Sequence, residues 1–349
     1  MNSRRHRFAV IAAAAIMIAG AGLSARAADV VITGSGGPPQ DAQRKAMWQP
    51  AAKALGITFD EDTSQAWTDA KAQVDSGSVT WDIVNFNMGE VPQAVAAGIL
   101  VKLPADIVDR TQYAPGSVSD YCIGNSAFSE VMGYNTAKFG DKGPKNMAEF
   151  FDTKKFPGKR AMTRAVKGNA EAAALALGKP QNEVYSFLAT DEGQKEALDK
   201  LSQLKSSVTW WDSGSQLTQL IVDKEVDLAY GWDGRLNAAI TAGAPWKIVY
   251  QDGILQTDCY AILKGSPHPE NALKFLKEIL KPEYSKDMVK YVAYGPSDLR
   301  AYKGMDPAVL SKLTLAPQNL VGQYPQDPAF WGANGAKLSE AFDAMLLKQ

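Results

Sequence analysis

Asp29-Val30-Val31-Ile32-Thr33, then Gly34-Ser35-Gly36-Gly37-Pro38-Pro39, then the stretch 40–55 read as a strand, a loop and a helix in succession. The first run is β-branched and apolar, which suits a pleated, buried strand. Glycine and proline then punctuate the chain. From residue 40 apolar positions recur at helical spacing (Ala42, Ala46, Met47, Ala51, Leu55), with Pro50 as an interruption and Gly56 as a stop. The alternation continues: strands at 57–60 and 81–86, helices at 66–76 and 91–97, the last closed by Gly98. Alternating strands and helices predict an α/β architecture. Ligands of open α/β sheets sit beyond the carboxyl ends of the strands, which places the loops 34–40 and 85–89 at a candidate site.

Upstream, residues 1–27 hold a basic start (Arg4, Arg5, His6, Arg7), an apolar run of roughly 15 residues, and Ala25-Arg26-Ala27. This is the pattern of a secretory leader, too short to cross a bilayer core. His6 and Arg7 fit a twin-arginine signal poorly, so ordinary export to the periplasm is expected, with a mature chain from Ala28. No lipobox cysteine follows, so a soluble protein is expected. That chain has 349 − 27 = 322 residues. Its charge is near −5: of 37 lysines and arginines, four arginines leave with the leader, and 33 remain against 38 acids. Such a balance does not favour coating nucleic acid or an anionic membrane. No later segment is apolar enough, for long enough, to span a membrane. About 320 residues exceed one comfortable core, so two lobes are expected.

Catalytic parts are scarce. Of two histidines only His268 survives processing, in the turn Ser266-Pro267-His268-Pro269. There is no Cys-x-x-Cys, no paired histidine and no acidic calcium loop, so no metal is expected. Neither glycine-rich nucleotide motif occurs, and no cofactor is expected. The two cysteines, Cys122 and Cys259, are an even count for an oxidising compartment and are candidates for a disulfide.

Beyond residue 133 the strand and helix signals resume: strands at 159–163, 208–211, 226–231 and 247–250, and helices at 169–177, 192–204, 214–222 and 234–242. A return to the first lobe is expected at 257–263, then helices at 269–280, 283–292 and 328–347. In order, the chain carries Gly36-Gly37, Trp81-Asp82-Ile83-Val84, Gly98-Ile99-Leu100, Met132-Gly133-Tyr134-Asn135 and Phe156-Pro157-Gly158-Lys159. Gly231-Trp232-Asp233-Gly234-Arg235 and Thr257-Asp258 follow. Taken together these resemble periplasmic solute-binding proteins of ABC importers, of the spermidine/putrescine-binding type. The resemblance covers essentially the whole mature chain. It implies a two-lobe periplasmic binding protein (type II) with hinge strands and a ligand cleft between the lobes. The expected division is 1–27 leader, 28–132 first lobe, 133–254 second lobe, 255–300 return to the first, and 301–349 a helical segment packing across both. A membrane permease would recognise the closed form, and a monomer is expected.

The resemblance also assigns a pocket. Trp232 would be an aromatic wall, whose face attracts a cation by roughly 0.5–2 kcal/mol. Asp258 would pair with a ligand ammonium. Asn87, Tyr294, Gly37, Gln40 and Asp233 match further pocket positions, and one of Trp210 and Trp211 should face inward by strand alternation; Trp211 is carried as the candidate. Two departures stand out. Gln256 replaces an expected tryptophan, and the run 162–171 carries Arg164 and Lys167 where polyamine binders place an acidic pair. Basic groups there suit a carboxylate. The expected ligand is therefore an amine-bearing solute such as putrescine or spermidine. The alternatives are a zwitterion such as γ-aminobutyrate, gripped by Asp258 and Arg164, or a quaternary ammonium compound caged by Trp210, Trp211 and Trp232. A hydrolase using Asp233 and Asp258 has no supporting spacing, and no Tyr-Tyr pair points to a metal carrier.

Overall fold

The computed structural model describes residues 28–347, and the leader expected at 1–27 lies outside the described residues. Among the described residues ten strands form one sheet: β1 (Val30–Gly34), β2 (Phe59–Thr63), β3 (Ile83–Asn87), β4 (Cys122–Asn135), β5 (Arg160–Thr163), β6 (Val208–Trp211), β7 (Leu228–Trp232), β8 (Trp246–Ile262), β9 (Gly295–Pro296) and β10 (Tyr324–Pro325). Their order is β2-β1-β3-β8-β4-β7-β5-β6, with β10 beside β8 and β9 beside β4. β2-β1-β3 and β6-β5-β7 are parallel triplets, one for each lobe. β8 and β4 run antiparallel to each other and to the innermost strand of each triplet. The two lobes thus share two long strands of 14 and 17 residues.

The expected lobe limits, 132/133 and 254/255, fall inside β4 and β8, the two strands the lobes share. The strand expected at 247–250 and the return at 257–263 are one strand. Asp252 takes φ 65° in the polar stretch between them, and the β4–β8 register slips between Glu130 and Met132. A bulge of this kind bends a strand without ending it.

Other boundaries shift for local reasons. The helix expected at 40–55 begins at Gly37 and continues through a π turn, Arg44–Trp48, just before Pro50. A proline lacks its N–H and clashes with the carbonyl four residues back, and the wider turn relieves both. β2 lies at Phe59–Thr63 rather than 57–60, because an edge strand tolerates the exposed acids Asp60 and Asp62. The first lobe packs Val30, Ile32 and Ile83 with Trp48 and Phe275. The second packs Phe150, Met162 and Tyr230 with Phe342 of the last helix, Pro328–Leu347. The near end of that helix stands against the first lobe, where Gly332 faces Gln93. Cys122 and Cys259 are joined by a disulfide that ties β4 to β8, across a sequence separation of 137.

Candidate functional site

A cavity of about 330 Å³ lies where the two triplets meet, at the carboxyl ends of their strands. That is within the usual range for small-molecule sites. Ser35, Gly36, Pro39, Gln65 and Asn87 line it from the first lobe; Thr163, Ala165, Lys167, Trp232 and Arg235 line it from the second. The shared strands contribute Phe128, Glu130, Gln256 and Asp258, and Tyr294 closes one side.

The loop after β1 is built by its glycines and by Gln40. Gly36 and Gly37 take φ 74° and 58°, the left-handed region that favours glycine. Gln40 Oε1 accepts from the Gly36 N–H at 2.8 Å and from the Thr63 hydroxyl at 3.0 Å, while its amide donates to Glu61 and the Asp62 carbonyl. Gln40 therefore sits beneath the cavity wall and shapes it. Gly36 lines the cavity, whereas the expected Gly37 does not.

Asp258 on β8 stands opposite Asn87 on β3 in the antiparallel register. It is buried, and Gln65 Nε2 donates to its Oδ2 at 3.1 Å. Burial pushes its carboxyl up to about 7; hydrogen bonds from Gln65 and Asn87 act against this, and Glu90 adds to it. A carboxylate held in this way gains most from a cationic partner. Asn87 caps the short turn Met88–Glu90 by accepting from the Gly89 N–H and donates to Gln256 Oε1 at 3.3 Å.

Trp232 ends β7 and lines the cavity. Trp211 packs against it edge-on, with centroids 5.2 Å apart, and is itself buried in the second-lobe core. Trp211 is thus a buttress rather than a cavity wall, and Trp210 turns the other way onto Phe342 at 5.6 Å. The three-tryptophan cage does not form. Its place is taken by Phe128 and Tyr294, stacked at 5.3 Å beside Trp232.

Asp233 is fully buried and outside the lining. Its Oδ1 accepts from the Ser129 and Gly234 N–H groups, fastening β4 to the helix Asp233–Thr241, and burial pushes it up to about 8. Arg164 also misses the cavity; it is largely exposed and pairs with Asp212 at 3.1 Å. Glu171 faces the core, where it accepts from Trp331 Nε1 at 2.7 Å and from the Tyr185 hydroxyl. His268 meets the buried Asp82 at 3.0 Å, apart from the cavity.

Two lining residues, Arg235 and Glu130, carry charge that the sequence reading did not assign to the site, and Lys167, read there beside Arg164, lines it as well. Arg235 lies three positions after Trp232, in the first turn of its helix, and Lys167 follows β5. Glu130 on β4 is buried. Burial, reinforced by Glu171, pushes it up to about 8, while Lys167, Gln256 and Trp232 act the other way. The cavity therefore presents buried carboxylates and cations together.

Residues 46–316 match the bacterial extracellular solute-binding proteins. A γ-aminobutyric acid-binding protein of Pseudomonas aeruginosa is 30% identical over 93% of this chain and 92% of its own. The solved structure of MotA from A. tumefaciens B6, in complex with glucopine, is 49% identical, covers 91% of this chain and all of its own, and has a TM-score of 0.84. The spermidine/putrescine-binding periplasmic protein of Escherichia coli is 30% identical over only 38% of this chain and 39% of its own, so the expected polyamine type receives partial support. The chain belongs to the bacterial extracellular solute-binding proteins and is the substrate-binding component of an ABC transporter.

Proposed function

We propose that this protein, exported by its leader to the periplasm, captures a small solute carrying both an ammonium and a carboxylate and hands it to its permease. The observation that carries this reading is the charge of the cavity lining, which brings the buried carboxyl of Asp258 together with the cations Arg235 and Lys167. Asp258, with Gln65 and Asn87 around it, takes the ammonium. Trp232, Phe128 and Tyr294 enclose the methylenes, and Arg235 meets the carboxylate with its bidentate fork. This reassigns to Arg235 the role expected of Arg164. The γ-aminobutyrate-binding relative supports the same ligand class. Closure of the lobes about β4 and β8 would seal the solute in.

A diamine such as putrescine is the second reading, favoured by Glu130 as a second buried carboxylate in the same cavity. Titration calorimetry with γ-aminobutyrate, putrescine and butyrate separates the two. Binding of γ-aminobutyrate with neither single-sign analogue supports the first. Putrescine binding at equal or better affinity would reverse the order.

A further inference from the structure

Glu130 and Gln256 lie side by side in the cavity wall, and each leaves one buried polar atom without a close partner. Glu130 Oε2 and Gln256 Nε2 are buried and have no hydrogen-bond partner among the described residues. Behind them Gln326, just after β10, lines an adjoining cavity of about 260 Å³ together with Asn87, Gly89 and Gln256. Both its amide atoms are buried and unpartnered. Lys167 approaches the same place. Its Nζ and Gln326 Oε1 lie 3.8 and 3.3 Å from where a Cβ on Gly89 would stand, and Lys167 forms no ion pair among the described residues. Buried polar groups are almost always paired, so several unpaired ones where these two adjoining cavities meet at Gln256 need a partner from outside the chain.

We propose that Glu130, Gln256, Lys167 and Gln326 form a second polar subsite that holds a hydroxyl or amide group of the ligand. The wall offers acceptors (Glu130 Oε2, Gln326 Oε1) beside donors (Gln256 Nε2, Gln326 Nε2, Lys167 Nζ). A hydroxyl or an amide both donates and accepts, so it satisfies such a mixture. A methylene chain satisfies none of it, and a second ammonium would meet the charge of Lys167. Gln256 and Asp258 are two residues apart on β8, hence on the same face, roughly 7 Å apart. A short substituent on an amine held by Asp258 spans that gap. The ligand is accordingly larger than a bare ω-amino acid. This inference rests on the amine–carboxylate reading of the cleft.

Calorimetry with N-(2-hydroxyethyl)-γ-aminobutyrate and its N-propyl isostere tests it. The hydroxylated compound should bind wild type about tenfold tighter or more, the discrimination expected when buried polar groups lose or keep a partner. In Glu130→Leu and in Gln326→Leu that ratio should fall towards one. Both replacements remove unpaired buried polar groups, so the variants are expected to fold, with near-ultraviolet circular dichroism as the check. Equal affinity of the two compounds for wild type, or a ratio that both variants leave intact, overturns the subsite. Failure of both compounds to bind the folded protein would instead overturn the amine–carboxylate reading. Glucopine then decides the subsite: a loss of about tenfold in both variants keeps it, and unchanged affinity removes it.

Discussion

Asp258→Asn should stabilise the empty protein while destroying its function. In the folded state the carboxyl is pushed from 3.8 up to about 7 by burial. A raised acid binds protons more tightly in the folded than in the unfolded chain, so stability falls as pH rises from about 4 to about 7 and stays reduced above. Shifting from 3.8 to about 7 corresponds to about 4 kcal/mol at 1.36 kcal/mol per unit, an upper bound on the penalty at pH 8. Asparagine keeps the shape and an acceptor for Gln65 but never ionises. Urea unfolding without ligand should show the variant more stable by about 2–4 kcal/mol at pH 8 and no more stable than wild type near pH 4. The same variant should lose about a hundredfold in affinity for γ-aminobutyrate, the loss expected when a buried charge-assisted bond is removed. A stability difference that does not change with pH, or a variant that binds as well as wild type, would refute the argument that Asp258 is an uncompensated buried carboxylate awaiting a cation.

The pH dependence of binding follows from the same group. An ammonium ligand needs Asp258 ionised, so affinity should rise up to about tenfold per unit as pH increases towards 7 and then level off; calorimetry between pH 5 and 8 that shows the opposite slope sinks the assignment. Arg235→Gln should weaken γ-aminobutyrate by about tenfold or more while sparing putrescine, read as the ratio of dissociation constants. Trp232→Ala should weaken any bound amine by roughly 0.5–2 kcal/mol through the lost aromatic face. Replacing Cys122 and Cys259 by serine should lower the unfolding free energy by roughly 2–5 kcal/mol, because the bridge closes a loop with a sequence separation of 137; equal urea midpoints for the two forms would show that the bridge adds nothing.

The strand–loop–helix at the start of the mature chain was legible because its signals are local: β-branched strand, glycine loop, periodic helix. Asn87, Trp232 and Asp258 were legible because strand ends and a family motif place them. Glu130 was not, since β4 is buried almost throughout and its sequence shows no alternation that would aim one side chain into a cleft. Arg164, in the loop after β5, turns out to Asp212 rather than into the cleft. Arg235 occupies the first turn of a helix that starts at the cleft edge, a placement that helix spacing alone carries. Trp210 and Trp211 show the limit of period-two reasoning: alternation separates the two rings, but only packing against Phe342 and Trp232 decides which side each takes. The length of β8 escaped because a bulge at Asp252 looks, in sequence, like the end of a strand.

A crystal structure of the protein closed on its solute, obtained first with γ-aminobutyrate, tests the central claim most directly. The ligand nitrogen should lie within hydrogen-bond distance of an Asp258 carboxylate oxygen, with the ligand carboxylate against Arg235. A ligand bound with its carboxylate towards Asp258, or seated clear of that side chain, would contradict the account.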